Sequence, residues 1–271
     1  MPSGYDQEEL VLNKRTTLRV KRPRPSLVDL TAESKIEILE RLIHDPERFL
    51  KSDFLTIVKK LKEYTDELLL QESAIVKEVR SFGSESQLRW LIEGTQSRCE
   101  QILNDFESLL SPFVSGSTTG LKLDKLMPWG GKLTTISEPY KRLFGDSGWF
   151  EVVCYSIIKN ELKEVADIRI SLGMEVLGRS TIWHEMDVLL VMEDVSICFE
   201  AKSGRWGRKD ILKLLAQRED IGCDLGILLS LEEPSEDFDQ ITVAHPIRNF
   251  TLSEGKHELF KDWLREKLLC S

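Results

Sequence analysis

The stretch His184-Glu185-Met186-Asp187-Val-Leu-Leu-Val-Met192, then Glu193-Asp194, then Val195-Ser-Ile-Cys-Phe-Glu200-Ala201-Lys202 reads as two strands joined by a short charged turn. Two apolar runs rich in β-branched residues around a two-residue connection form a hairpin pattern. Side chains alternate along a strand, so Glu185 and Asp187 share a face, as do Glu200 and Lys202. A hairpin centred on Glu193-Asp194 sets Asp187 opposite Glu200 and Glu185 opposite Lys202, with Cβ atoms about 4.5–5.5 Å apart. Three carboxylates and one ammonium then converge on one patch of sheet. Like charges at that distance repel unless something compensates them. A hard divalent cation such as Mg²⁺ does so, because it prefers carboxylate and carbonyl oxygens.

Outward from this stretch, residues 148–230 alternate helical and strand patterns. Trp149 to Asn160 reads as an amphipathic helix of about three turns. A strand over Asp167–Leu172 and a glycine-containing turn lead into the hairpin. Gly204 and Gly207 precede a helix over Asp210–Asp220, and Asp224–Ser230 suits a buried strand. The predicted order is αβββαβ. Beyond it come an acidic loop (Glu232, Glu233, Glu236, Asp237, Asp239), a strand at Ile241–Ala244, and a helix carrying Leu259, Phe260, Trp263, Leu264 and Leu268.

The preceding part is built differently. Residues 1–26 start polar and turn basic (Lys14, Arg15, Arg19, Lys21, Arg22, Arg24), and Pro23 and Pro25 predict a flexible extended arm. Residues 27–110 predict a helical bundle. Thr31 caps its first helix, and Pro46 opens a second that carries Phe49, Leu50, Phe54, Ile57, Val58 and Leu61. Another segment carries Leu68, Leu69, Ile75, Val76 and Val79. A last helix runs to Leu110, before Pro112. Residues 111–147 shift to Ser115-Gly-Ser-Thr-Thr-Gly120 and Trp129-Gly130-Gly131, the composition of a linker. Residues 148–271 make the last domain.

The chain has 271 residues, 41% hydrophobic and 31% charged, with a formal net charge of −9. That balance excludes a protein that coats nucleic acid non-specifically, since such affinity comes from cations meeting phosphates. It leaves room for a local basic groove. No apolar run reaches the roughly 18 residues of a membrane span, and the N-terminus lacks a signal-peptide core. Cys99, Cys154, Cys198, Cys223 and Cys270 have no paired spacing, as expected of reduced core residues in a cytoplasmic protein. His184 faces away from Asp187 by alternation and reads as structural. His44, His245 and His257 have no partners that suggest a site.

Asp187, the spacer and Glu200-Ala201-Lys202 resemble the D…(D/E)-x-K signature of the PD-(D/E)xK nuclease superfamily. With Gly148-Trp149-Phe150-Glu151 upstream and Lys202-Ser203-Gly204 at the other end, the set is similar to the C-terminal nuclease domain of CRISPR-associated ancillary nucleases activated by cyclic oligonucleotides. The similarity spans residues 145–230. It implies a restriction-endonuclease-like α/β core with a mixed sheet, which behind the helical N-terminal region makes the chain α+β. It implies Mg²⁺- or Mn²⁺-dependent cleavage of DNA or RNA phosphodiesters, as an endonuclease in genome defence or repair. Asp187, Glu200, the Ala201 carbonyl and Glu151 become the metal ligands. Lys202 lowers the pKa of the attacking water or stabilises charge on the phosphate.

Around these residues, Glu185 matches an acidic position of the closer family and alternatively backs Lys202, while Gln217 resembles a glutamine found on this helix in some members. Arg205, Trp206, Arg208 and Lys209 interleave cations with an aromatic, the pattern that meets phosphates and stacked bases. The superfamily also implies a homodimer. Its closer members carry an N-terminal sensor of alternating strands and helices, and helices stand there in this chain. Activation by a cyclic oligonucleotide is therefore not carried over, which leaves an activating partner protein as a different trigger. The alternative reading is a catalytically inactive nuclease-fold subunit that binds nucleic acid or a protein partner.

Overall fold

The computed structural model describes residues 7–13, 16–21, 37–79, 85–113, 140–192, 195–234 and 245–269. The fold is α+β, with long helices ahead of most of a mixed sheet. The described residues fall into two compact units, one within 1–29, 42–51 and 150–271, the other within 30–41 and 52–149. Thr31, the turn at 193–194, Trp129 and most of the 111–147 segment, the acidic residues 236–239, the strand expected at 241–244 and Cys270 lie outside the described residues.

Helix α1 spans Glu37–His44, and Pro46–Leu50 is a short 3-10 turn. The helical unit is built on α2 (Ser52–Val79) and α3 (Glu85–Leu110). The polar run between Leu61 and Leu68 predicts two helices, yet the chain continues as one helix of 28 residues. No glycine or proline interrupts it. The buried Thr65 returns its hydroxyl to the Leu61 carbonyl at 2.8 Å, so a polar residue is accommodated inside the helix. Phe106 centres the core of this unit, with ring centroids 4.8 Å from Tyr140 and 5.4 Å from Phe144. Tilted and edge-on aromatic contacts of this kind add to plain area burial.

The other unit holds seven strands in sequence order across one sheet. They are β1 (Gln7–Asn13), β2 (Thr16–Lys21), β3 (Arg169–Leu177), β4 (Trp183–Val191), β5 (Ser196–Lys202), β6 (Leu225–Ser230) and β7 (Ile247–Thr251). Helices α4 (Gly148–Glu161), α5 (Arg208–Ile221) and α6 (His257–Leu269) complete it. Strands β1 to β5 run antiparallel to their neighbours, and β5, β6 and β7 run parallel. From α4 to β6 the observed order is αβββαβ. Cys198 and Leu228 pack with Ile211, Leu214 and Ile221 of α5 on one face. Phe199 meets Phe260 of α6, with ring centroids 6.4 Å apart.

The expected extended arm differs from what residues 7–21 do. They form a hairpin whose second strand pairs with β3 through Arg19↔Leu177, Val20↔Val176 and Lys21↔Glu175. The prolines that suggest an arm lie beyond Lys21, and the β-branched run from Thr16 to Val20 favours a strand. Strand β3 also outruns its expected end, passing through Gly173 to Leu177.

The turn after β3 is clamped to the end of α5. Asp220 accepts the Ser180 N–H at 2.7 Å and lies 2.6 Å from His184 Nε2. These contacts hold its carboxyl down at about pKa 2, the Ser180 hydroxyl contributing first. A Cβ on Gly178 would stand 1.9 Å from Asp220 Oδ2. Gly178→Ala must therefore displace the Asp220 carboxylate from the clamp, and should lower the midpoint of chemical denaturation.

Candidate active site

Strands β4 and β5 pair through Val188↔Phe199, Leu189↔Cys198, Leu190↔Ile197 and Val191↔Ser196, the expected register. The ladder stops one pair short of Asp187. Its Oδ2 accepts the Ala201 N–H at 2.7 Å instead, which aims the carboxylate at the end of β5. On the other side, the β3–β4 register runs from Leu172↔Val188 to Met174↔Met186, passing over Gly173 and Asp187. Gly173 has φ +63, and a Cβ there would meet nothing within 4 Å. A left-handed glycine inside a strand marks a local break in the ladder, here beside the first acidic residue.

Glu200 is only 3% exposed. Its Oε1 accepts two ammonium groups, Lys202 Nζ and Lys213 Nζ, each at 2.8 Å. Lys202 also lies 3.6 Å from Asp210 Oδ1. Asp210 accepts the Gly207 N–H at 3.0 Å, capping the start of α5 and fixing it against the end of β5. Glu151 stands in the first turn of α4, where the charges of Asp187, Glu185 and Glu200 all act on it.

The electrostatics follow from burial and crowding. Burial, then the charge of Glu200, pushes Asp187 up to about 7. Burial, then Asp187, Glu185 and Glu200, pushes Glu151 up to about 8. Lys202 moves up from its ordinary value: burial pulls it down, but the hydrogen bond and charge of Glu200, with Asp210 and Asp187, outweigh that. Lys202 thus keeps its charge at neutral pH. A pair of carboxylates that hold protons until pH 7–8 is a pair that lacks enough positive charge.

Several expected site residues sit elsewhere in the arrangement. Ala201, expected to act through its carbonyl, also donates its N–H to Asp187. Glu185 is exposed and pairs across the ladder with Glu175 of β3, whereas Lys202 pairs with Glu200 and Asp210. Trp206, expected as a stacking surface, is 3% exposed and donates its indole N–H to the Glu232 carbonyl at 2.8 Å. It packs the core against α5, and its basic neighbours point the reading the wrong way. Arg205, Arg208 and Lys209 are exposed. Gln217 is buried on α5, with an amide oxygen that has no hydrogen-bond partner among the described residues. His184 is structural, through Asp220.

Lys213 is the residue that the sequence analysis misses. It lies four positions before Gln217, hence on the same helical face, and that spacing was the available signal.

The oxygen-rich set of Asp187, Glu200 and Glu151 suits a hard divalent cation, and it contains no thiol or imidazole that would favour a softer one. Among the described residues, the group whose ligand atoms have metal-like spacing is a different one. Ligand atoms of Glu47, His257 and Glu258 lie within 4.8 Å of one another, so His257 does have partners, contrary to expectation. Here Lys261 Nζ already sits 2.7 Å from Glu47, 3.0 Å from Glu258 and 3.4 Å from Glu161. An ammonium supplies the counter-charge in this group, which ties residues 42–51 to α6. Cys99, Cys154, Cys198 and Cys223 are buried free thiols. Among the described residues no helix is long and apolar enough to cross a membrane.

No family model and no curated protein matches the chain. Among solved structures it is similar to protein VC1899 from Vibrio cholerae, at 17% identity and a TM-score of 0.47, covering 93% of this chain and 64% of that one. It is also similar to Can2 from Sulfobacillus thermosulfidooxidans in complex with cyclic tetra-adenylate, at 10% identity and a TM-score of 0.40, covering 81% and 57%. A protein of unknown function, AF1548, matches at 17% identity and a TM-score of 0.30, covering 34% and 53%. The chain spans less than two thirds of the length of each. Likeness at these levels carries no argument about chemistry.

The raised carboxyls have a consequence for stability. The folded chain holds protons on Asp187 and Glu151 that the unfolded chain releases near their ordinary values of 3.8 and 4.5. Their contribution is therefore full at acid pH and is lost as pH rises through about 7 to 8. In EDTA, the melting temperature of wild type should fall from about pH 5 to about pH 8, and Asp187→Asn or Glu151→Gln should flatten that slope.

Proposed function

We propose that the chain is a divalent-cation-dependent nuclease that hydrolyses phosphodiesters of DNA or RNA. What supports it most is one grouping: Asp187 at the middle of β4, held to the end of β5 by the Ala201 N–H, Glu200 near that end, Glu151 under the charge of both, and Lys202 bonded to Glu200. Asp187, Glu200, Glu151 and the Ala201 carbonyl would hold Mg²⁺ or Mn²⁺, which would supply an activated water and counter-charge for the phosphate.

The chain's own residues supply the rest. The Ala201 N–H orients Asp187, so the carboxylate is in place before a ligand arrives. Lys202 keeps its proton, so it stabilises developing negative charge rather than accepting a proton. Arg205, Arg208 and Lys209 make no ion pair among the described residues and surround the start of α5. They meet the phosphates that flank the scissile one, together with the unpaired N–H groups of the first helical turn. With Trp206 withdrawn into the core, base stacking has no part in this contact.

Cleavage of supercoiled plasmid, single-stranded circular DNA and a structured RNA tests this, with Mg²⁺, Mn²⁺ or EDTA. Wild type should cut at least one of them in a metal-dependent way. Asp187→Asn and Lys202→Ala should each reduce the rate by at least about a hundredfold. Cutting that survives in both variants, or binding without cutting in any metal, contradicts the assignment.

A further inference from the structure

Glu200 is almost closed to water, yet one of its oxygens takes two ammonium groups. One ammonium matches the charge of one carboxylate, so the second serves the crowded group as a whole, its charge also reaching Asp187. The two lysines are not equivalent. Lys202 belongs to β5 itself, has Asp210 as a further partner, and its side chain is 29% exposed. Lys213 reaches in from α5 with a side chain that is 50% exposed, and among the described residues Glu200 is its ion-pair partner. It is held at its tip, by one contact, at the end of a flexible stem.

We infer that Lys213 is a resident counter-cation that Glu200 exchanges for the divalent metal. This rests on the metal-site reading above. Two ammonium groups and a divalent cation around one carboxylate repel one another, and that repulsion grows as the reciprocal of distance. The cation therefore enters as one ammonium leaves, and Lys213 leaves because it has the fewest ties. Until then it supplies the positive charge that the buried carboxylate requires. Lys213 is a positioning residue for the metal-free site and a competitor for the loaded one. If it merely fastened α5 to the sheet, its removal would loosen Glu200 and weaken metal binding. The exchange makes the opposite prediction.

Mn²⁺ titration of the full chain, without nucleic acid, reads this directly from the electron paramagnetic resonance signal of free aqueous Mn²⁺. The series is wild type, Lys213→Met, Lys213→Arg, Asp187→Asn, and Lys163→Met as an exposed charge-matched control away from the site. Lys213→Met should tighten Mn²⁺ binding by about tenfold, the scale of removing one like charge beside a bound cation. Lys213→Arg keeps the charge and should restore the wild-type affinity, and Lys163→Met should not move it. Methionine is a good helix former at an exposed helical position, and a thermal melt checks that the fold is kept. Equal or weaker binding in Lys213→Met, with Asp187→Asn still abolishing it, overturns the exchange and leaves the metal site standing. Binding that is absent from wild type, or indifferent to Asp187→Asn, overturns both.

Discussion

Withdrawing the Glu200 carboxylate from water is the constraint around which the sheet unit is arranged. A buried carboxylate is stable only when charge and hydrogen bonds meet it. Here two lysines from different elements do so, one on the strand and one on the crossover helix. That requirement positions α5 against the end of β5, with Asp210 capping the helix and touching Lys202. Burial first, and then the neighbouring carboxylates, push the carboxyls of Asp187 and Glu151 up while Glu200 holds both ammonium groups.

Packing and chemistry share the same strands by alternation. Cys198 and Leu228 build the core under α5, and Phe199 turns to α6. Glu200 and Lys202 emerge where the β4–β5 ladder has ended, so side chains there are released from strand pairing while their backbones stay anchored in the parallel ladder with β6. The break at Gly173 does the same for Asp187 on its other edge. Far from this group, the network of Lys261 with Glu47, Glu258 and Glu161 shows the cheaper way to settle crowded carboxylates, an ammonium already in place.

The hairpin was legible because its period of two and its charged turn fix the register, and with it the juxtaposition of Asp187 with the Glu200–Lys202 segment. Several other features were not. Lys213 meets Glu200 only through tertiary packing, and its helical spacing to Gln217 marks a shared face without marking Glu200 as its partner. Trp206 sits among cations in sequence, but the indole turns inward, and alternation does not govern an irregular segment. The N-terminal hairpin was hidden by prolines just past it. Gly173 reads as a turn because a left-handed glycine inside a strand has the same sequence signature as one that ends it.

Crystals soaked in Mn²⁺ and measured near the manganese absorption edge would test the metal-site assignment most directly. An anomalous peak within coordination distance of Asp187 and Glu200 is the predicted result, with the Lys213 ammonium displaced from Glu200. A peak confined to Glu47, His257 and Glu258, or no ordered manganese at all, would contradict it.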